Sequence, residues 1–170
     1  PAKPFHHSLA ASGIVESLSE NVAIGVPLAG LVTEVHIAVN EQVDVGQPLF
    51  TIDGREIKAQ LRVHAANVTV ASASLDRIQA QLDRLKSVND PRAISRDEVS
   101  TRAHDVTVAR AQLEAARALV AQDEALLQRL TVVAPRAGTI LQVNLRAGEY
   151  ASVAPKAPAM LLGDQERLQI

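Results

Sequence analysis

Hydrophobic and polar residues alternate in two short segments that lie far apart in the chain and resemble each other. The first segment spans residues 27–37 and the second spans residues 135–145. Pro, Gly and three apolar positions coincide at a constant offset of 108 residues, as Gly30 and Gly138 illustrate. Each copy places a Pro-x-x-Gly turn before alternating apolar residues, a pattern typical of a strand with one buried face. The pattern predicts a β-structure built from two similar halves, in which Gly30 and Gly138 are structural positions.

The register of the two halves continues beyond these segments. Glu41 and Glu149 also differ by 108 positions, and they lie in or beside predicted turns at 40–42 and 147–149. Further short strands are predicted at 22–26, 31–39, 49–52, 131–135 and 160–162. Another strand is expected within residues 8–19.

Between residues 56 and 130 the apolar positions recur in alternating steps of three and four residues. The residues of the first predicted helix in this series are Leu61, His64, Val68, Ala71, Leu75, Ile78, Leu82 and Leu85. Those of the second are Val99, Arg102, Val106, Ala109, Leu113, Ala116, Val120, Asp123, Leu127 and Leu130. Such a series, here called the seam, is typical of a coiled coil. The sequence therefore predicts two packed helices, each about 50 Å long.

The break between the helices has clear signals. Residues 89–91 read Asn-Asp-Pro, and a proline cannot continue a helix and disfavours helical geometry just before it. Ser95 followed by Glu98 has the spacing of a capping box, which predicts Ser95 as the N-cap of the second helix. The predicted turn has about six residues, 89–94, so the helices are expected to run antiparallel, with the end of the hairpin at 86–97.

His64 and Asp123 are polar interruptions of the seam. Antiparallel pairing places them at about the same level. A metal or proton-linked site is one interpretation of such a pair. The interpretation that we prefer is a buried pair that fixes helix register at some cost in stability.

Composition excludes several classes of function. The 170 residues carry a net charge of −2, which gives no sign of a nucleic-acid partner, and they include no Cys, which excludes disulfides and thiol chemistry. No apolar run approaches the length of a transmembrane helix. The adjacent His6 and His7 would point to opposite faces of a strand, so no metal site is predicted. No catalytic triad, P-loop or dinucleotide fingerprint is present, so neither an enzyme nor a cofactor is predicted.

The order of these elements resembles that of the periplasmic adaptor proteins, or membrane fusion proteins (HlyD/AcrA-like), of Gram-negative tripartite efflux and secretion systems. The resemblance implies an α+β fold, a lipoyl-like barrel-sandwich hybrid domain interrupted by a long antiparallel coiled-coil hairpin. Residues 17–53 and 132–164 would form the lipoyl-like domain and residues 54–131 the hairpin. Residues 1–16 and 165–170 would be strands of a partial β-barrel.

A second part of the resemblance lies at the end of the hairpin. Drug-efflux adaptors carry there an Arg, an apolar residue four positions later and a Ser seven beyond that. Arg84, Val88 and Ser95 have this spacing, although the family favours Leu where this chain has Val88. The resemblance implies that these three residues dock onto an outer-membrane channel of the TolC type.

The function implied by the resemblance is that of an adaptor, with no chemistry of its own. It would bridge such a channel and an inner-membrane transporter of the RND type, which it would contact through domains largely outside this chain. A hexamer is implied, located in the periplasm and anchored through a lipid or a helix outside this chain. An adaptor of an ABC-type exporter or type I secretion system is an alternative. Alternatives of other classes are a cell-surface coiled-coil protein and a biotin- or lipoyl-carrying domain, although Lys58 and Lys86 do not lie in a predicted β-turn.

Overall fold

The computed structural model describes residues 16–17, 21–88, 95–153, 155–163 and 168–169. In chain order its elements are β1 (Glu16–Ser17), β2 (Val22–Ile24), β3 (Gly30–Val35), β4 (Gln42–Val43), β5 (Pro48–Ile52), α1 (Arg55–Lys86), α2 (Arg96–Leu130), β6 (Thr131–Val133), β7 (Gly138–Val143), β8 (Tyr150–Ala151), β9 (Met160–Gly163) and β10 (Leu168–Gln169). Asp53–Leu130 forms one compact unit, and the described residues before and after that span form another.

The unit outside Asp53–Leu130, here called the β-unit, contains two four-stranded antiparallel sheets. Each sheet takes strands from both halves of the sequence. The strand order is β2-β9-β7-β4 in one sheet and β6-β5-β3-β8 in the other. Strands that precede the helices therefore pair with strands that follow them, which requires the two halves to fold together. The predicted α+β fold, a lipoyl-like barrel-sandwich hybrid interrupted by an antiparallel helical hairpin, is confirmed. Separately, β1 pairs with β10, Glu16 lying opposite Gln169.

The two halves pair as a symmetric exchange that follows the offset of 108 residues. In the contact between β3 and β8, Gly30 lies opposite Ala151. In the contact between β7 and β4, Gly138 lies opposite Val43. Gly30 and Gly138 are 108 positions apart, and so are their partners Val43 and Ala151. The internal repeat predicted from the sequence is thus a repeat of strand pairing.

The turns that follow β3 and β7 repeat in the same way. The amide of Asn40 donates to the carbonyl oxygen of Ile140 at 2.7 Å, and the amide of Gly148 donates to that of Val32 at 2.8 Å. Asn40 and Gly148 both adopt positive φ, 68° and 86°. Glycine takes this conformation without penalty and asparagine tolerates it better than most residues. The two turns therefore have the same backbone design with different residue types.

Glu41 and Glu149 have equivalent tasks in these turns. One carboxylate oxygen of Glu41 accepts a hydrogen bond from the amide of Ala38 at 2.8 Å. One carboxylate oxygen of Glu149 accepts from the amide of Arg146 at 3.1 Å. Each glutamate thus satisfies a backbone donor within its own turn, as short polar side-chain contacts commonly do. This explains why the repeat extends to these two positions.

Among the described residues, the core of the β-unit is aliphatic apart from the ring of Phe50. Val32, Phe50, Ile140 and Met160 have no exposed surface. The backbone of β3 and β7 is also closely packed at the first residue of each strand. A Cβ atom on Gly30 would lie 2.6 Å from Cγ2 of Ile52, and one on Gly138 would lie 2.7 Å from the carbonyl oxygen of Gly163. Both glycines are therefore positions where close packing leaves no room for a side chain.

The helices α1 and α2 pack against each other along the predicted seam. Each predicted seam residue is buried or half-buried, with the exception of Arg102. Leu82 of α1 and Val106 and Leu113 of α2 are nearly completely buried. This arrangement follows from the spacing in steps of three and four, which keeps one narrow stripe of each helix facing the other.

The prediction that Arg102 belongs to the seam is wrong. Its side chain is 44% exposed and forms an ion pair with Asp105, in which Nη1 lies 3.3 Å from Oδ2. Ala103 is half-buried and takes the place in the stripe between Val99 and Val106. The series Val99, Ala103, Val106 advances by four and then three residues, which fits one helical face as well as three and then four. The small apolar Ala103 is therefore the more buried of the two candidates.

Other differences concern short elements. The strand predicted at 31–39 ends at Val35, and the two-residue strands β4 and β8 were not predicted. A strand of two residues is too short to show an alternation of apolar and polar positions. Such strands are recognised only by their hydrogen bonds to a neighbouring strand. The predicted turn at 89–94 lies outside the described residues, as does most of the strand expected within 8–19.

Candidate functional site

Two of the three predicted docking residues lie where α1 ends. Arg84 is exposed in the last turn of α1, and Val88 follows the helix with its side chain 47% exposed. Ser87 is the C-cap of α1, and its hydroxyl donates to the carbonyl oxygen of Arg84 at 2.8 Å. Basic residues at a helix C-terminus interact favourably with the helix dipole, which accounts for an arginine at this position. The dipole does not account for an exposed valine.

The third predicted docking residue, Ser95, precedes α2. Its hydroxyl oxygen accepts a hydrogen bond from the amide of Asp97 at 3.2 Å, and its carbonyl accepts from the amide of Val99 at 3.2 Å. These contacts are those of an N-cap residue, as predicted from the sequence. The side chain is also exposed.

A cavity of about 380 Å³ lies between the helices near this end of the hairpin. Its lining residues among those described are Gln81, Arg84, Leu85, Val88, Glu98 and Arg102. We call this space the end cavity. The structure thus brings Arg84 and Val88 together in one recess, with residues of α2 on the opposite side, and Ser95 is not among the lining residues described.

The end cavity combines an apolar surface with charged groups. Leu85 and Val88 supply the apolar part. Arg84 and Arg102 contribute two positive charges and Glu98 one negative charge. Recesses that combine an apolar surface with a few polar groups are typical of binding sites.

The structure also brings His64 and Asp123 together in the seam. Nδ1 of His64 lies 2.7 Å from Oδ2 of Asp123. Asp123 is 1% exposed, and the His64 side chain is 17% exposed. A carboxylate that is buried this deeply requires a partner, because an unpaired buried charge is strongly destabilising. The hydrogen bond supplies that partner across the two helices.

A second charged pair lies at the start of α1. The backbone amide of Arg55 donates to Oδ1 of Asp53 at 2.9 Å, and its guanidinium donates to both carboxylate oxygens. The side-chain hydrogen bonds from Arg55 hold the pKa of the Asp53 carboxyl below its ordinary value of 3.8, and the same contact raises the pKa of Arg55. The pair therefore satisfies an amide at the first turn of the helix, next to the N-cap residue Gly54.

The described residues offer no metal centre, since nowhere among them do three His, Asp or Glu side chains come together as a ligand group. Lys58 and Lys86, considered above as carrier positions, both lie in α1. Within the same described part of the chain, neither helix is apolar enough over a sufficient length to cross a membrane.

A two-sheet β-unit with strands exchanged between its halves, combined with a long helical hairpin, defines a class of lipoyl-like domain with a helical insertion. A family model described as RND MFP, barrel-sandwich hybrid domain, matches residues 20–162. The chain belongs to this family of membrane fusion proteins, also called periplasmic adaptors. The resemblance found in the sequence is thereby confirmed.

Three solved structures illustrate the same fold. Spr0693, a membrane fusion protein from Streptococcus pneumoniae R6, is 19% identical with a TM-score of 0.71, over 91% of this chain and 65% of that chain. MacA from Actinobacillus actinomycetemcomitans is 18% identical with a TM-score of 0.66, over 91% of this chain and 52% of that chain. ZneB from Cupriavidus metallidurans is 22% identical with a TM-score of 0.62, over 91% of this chain and 65% of that chain. This chain therefore spans between about half and two thirds of these proteins.

Four of the described residues that line the end cavity were not assigned to a binding surface from the sequence, namely Gln81, Leu85, Glu98 and Arg102. Glu98 was interpreted as part of a capping box and Arg102 as a seam residue. A signal was available in the sequence, because an arginine in an otherwise apolar stripe is costly to bury and is better placed outside it.

Proposed function

We propose that this chain is the central part of a periplasmic adaptor subunit in a tripartite efflux pump, and that its hairpin reaches an outer-membrane channel of the TolC type. The observation that carries this proposal is the pair of exposed residues Arg84 and Val88 beside one recess at the end of a long helical hairpin, in a chain of the membrane fusion protein family. The adaptor has a connecting role and performs no reaction.

The contact with the channel is made by Arg84, Val88 and Ser95. Exposed valine at the end of a hairpin supplies apolar surface for packing between helices, and Arg84 supplies a charged donor. Ser95 caps α2 and presents its exposed side chain at the same end. Several copies of the adaptor, arranged as a hexamer, raise the strength of a weak individual contact through effective concentration.

The transporter partner is of the RND type. The matching family model is one of RND adaptors, which favours this choice over an ABC-type exporter. The adaptor contacts the transporter through domains that extend beyond the two-sheet β-unit. In this proposal the separate β1–β10 pair belongs to a β-barrel domain formed with residues 1–16 and 165–170, and an anchor outside this chain holds the protein at the inner membrane.

The function of His64 and Asp123 in this proposal is to fix how α1 and α2 align. The hydrogen bond between them joins the helices at one level of the seam. An end surface made from both helices requires a single alignment, because a slip would separate Arg84 and Val88 from the residues of α2 opposite them.

Deletion of residues 84–98 from the full-length gene in its native host tests the proposal. We expect the deletion strain to become as sensitive to the exported compounds as a strain without the adaptor. A milder pair of variants controls for folding: Val88→Asp removes apolar surface at the hairpin end, and Val63→Asp makes the same change at an exposed position elsewhere on α1. Unchanged sensitivity after the deletion would contradict the adaptor function.

The same strains separate the alternatives. Loss of an RND transporter gene should give the same sensitivity as loss of the adaptor, whereas an ABC-type partner would be identified by the same phenotype after loss of an ABC transporter gene. A carrier domain would instead show a mass increment on one lysine, which intact mass spectrometry detects.

A further inference from the structure

Arg102 occupies the rim of the end cavity without a structural role that explains it. It is not a buried seam residue, because its side chain is 44% exposed, whereas the neighbouring Ala103 is half-buried. It also lies beyond the first turn of α2, which begins at Arg96, so the helix dipole does not act strongly on it. Its ion pair with Asp105 is exposed on both sides, and such pairs contribute little to stability.

The ion pair does orient the guanidinium. Nη1 of Arg102 lies 3.3 Å from Oδ2 of Asp105, one turn further along the same helix. Arginine has five N–H donors, so this contact leaves donors available on the side of the end cavity. Arg84 stands across the cavity on α1, and among the ion pairs of the described residues none involves it.

The remaining lining residues restrict what the two arginines can bind. Leu85 and Val88 offer an aliphatic surface beside them, and Glu98 adds a negative charge to the same recess. Among the described lining residues, two arginines face one glutamate, and Asp105 adds a second negative charge beside Arg102, so these groups form no cluster of unpaired cations. A phosphate-rich surface such as a membrane is bound by clusters of cations, which the glutamate weakens. A peptide segment suits the recess better, since it can offer a carboxylate, an aliphatic side chain and N–H donors within a few residues.

We infer that the end cavity binds an acidic side chain from the helical end of a partner protein, which Arg102 and Arg84 hold from opposite sides. Guanidinium groups bind carboxylates with paired, charge-assisted hydrogen bonds. An aliphatic neighbour of that acidic residue packs on Leu85 and Val88, and a backbone N–H of the partner donates to Glu98. This inference rests on the proposed docking of the hairpin end. It adds Arg102, as the residue that selects an acidic partner side chain, to the docking residues Arg84, Val88 and Ser95.

Site-specific photo-crosslinking in the native host tests the inference. A benzophenone amino acid replaces Gln81, which lines the end cavity, in the full-length adaptor. We expect a crosslink to a helical end of the outer-membrane channel, within one helical turn of an Asp or Glu. Arg102→Glu should reduce the yield at least tenfold, and Arg102→Gln, which adds no repulsion with Asp105, should reduce it by a smaller factor.

Arg117→Glu is the matched control. Arg117 is also an exposed arginine of α2 with an ion pair one turn away, to Glu114 at 2.8 Å, but it does not line the end cavity. Its yield should equal that of the parent protein. Changing the captured acidic residue of the channel to Lys should restore the yield in the Arg102→Glu adaptor, since the charges are then exchanged.

The outcomes separate this inference from the proposed function. A benzophenone at Val88 that captures the channel, together with an unchanged yield from position 81 in Arg102→Glu, would leave the docking intact and overturn the role of Arg102. Capture of lipid from position 81, or of a channel segment with no acidic residue nearby, would overturn it as well. Failure of both positions to capture the channel would contradict the docking itself.

Discussion

Removal of His64 should destabilise the hairpin more than its exposure suggests. In a His64→Ala variant the Asp123 carboxylate, 1% exposed, would lose its partner at 2.7 Å and remain in a largely apolar seam. Breaking a buried ion pair from one side typically costs about 3–5 kcal/mol. Asp123→Ala should cost less, about 1–3 kcal/mol, because the His64 side chain that remains is 17% exposed and keeps access to water. Both values are differences in the free energy of unfolding.

The double variant His64→Leu with Asp123→Leu provides the contrast. Replacing both members by aliphatic residues removes the buried charge, so stability should be equal to or greater than that of the parent, as is common for buried pairs exchanged for packed apolar residues. Urea unfolding followed by far-ultraviolet circular dichroism, which reports mainly on the two helices, measures all three variants. A loss below about 1 kcal/mol in His64→Ala would refute the reasoning, since a desolvated carboxylate cannot be left unpaired so cheaply.

The double variant also tests the alignment of the helices. Spin labels at exposed positions on the two helices, Val70→Cys and Arg117→Cys, report their separation by pulsed electron paramagnetic resonance, and the chain has no other Cys. A slip by one heptad would displace the helices by about 10 Å. We expect a single distance in the parent and a broadened distribution when the polar pair is replaced. An unchanged single distance in the double variant would show that the pair does not fix the register.

Three further predictions concern backbone packing and pH. Gly138→Ala should lower the free energy of unfolding by about 1–3 kcal/mol, because the new Cβ would lie 2.7 Å from a backbone carbonyl oxygen, whereas Gly25→Ala, with nothing within 4 Å, should be close to neutral in the same urea titration. Gly148→Ala should cost about 1–2 kcal/mol because its φ is 86°, and a neutral result would contradict the assigned turn. Since the folded-state pKa of Asp53 is lowered, its contribution to stability is complete above the ordinary carboxyl value of 3.8 and is lost as the pH falls through the folded value. Asp53→Asn should therefore show a weaker acid dependence of unfolding than the parent, and equal dependence would count against the pair.

The repeated β-halves could be predicted because their signal is redundant. Turn residues, alternation and the glutamates Glu41 and Glu149 all recur at one offset, and the structure uses each of them in equivalent contacts. A fold can be predicted from a sequence when turn residues, apolar alternation and polar contacts all indicate the same structure. The seam could be predicted for the same reason, since its residues recur over many turns of both helices.

The end of the hairpin was less predictable. The motif of Arg84, Val88 and Ser95 could be recognised by its spacing, but Glu98 and Arg102, which line the same recess, belong to the other helix. Whether Arg102 or Ala103 is the more buried residue depends on packing between the helices, because both positions fit the periodicity within one residue. Long-range contacts of this kind leave no local pattern in the chain.

The most direct measurement of the central claim is photo-crosslinking from the hairpin end of the full-length adaptor in living cells. A photoreactive amino acid at Val88 should yield a covalent adduct with the outer-membrane channel, and the same amino acid at Val63, exposed to a similar degree on α1, should yield far less. Equal capture from both positions, or no channel adduct from Val88, would contradict the account of this chain as an adaptor whose hairpin end meets the channel.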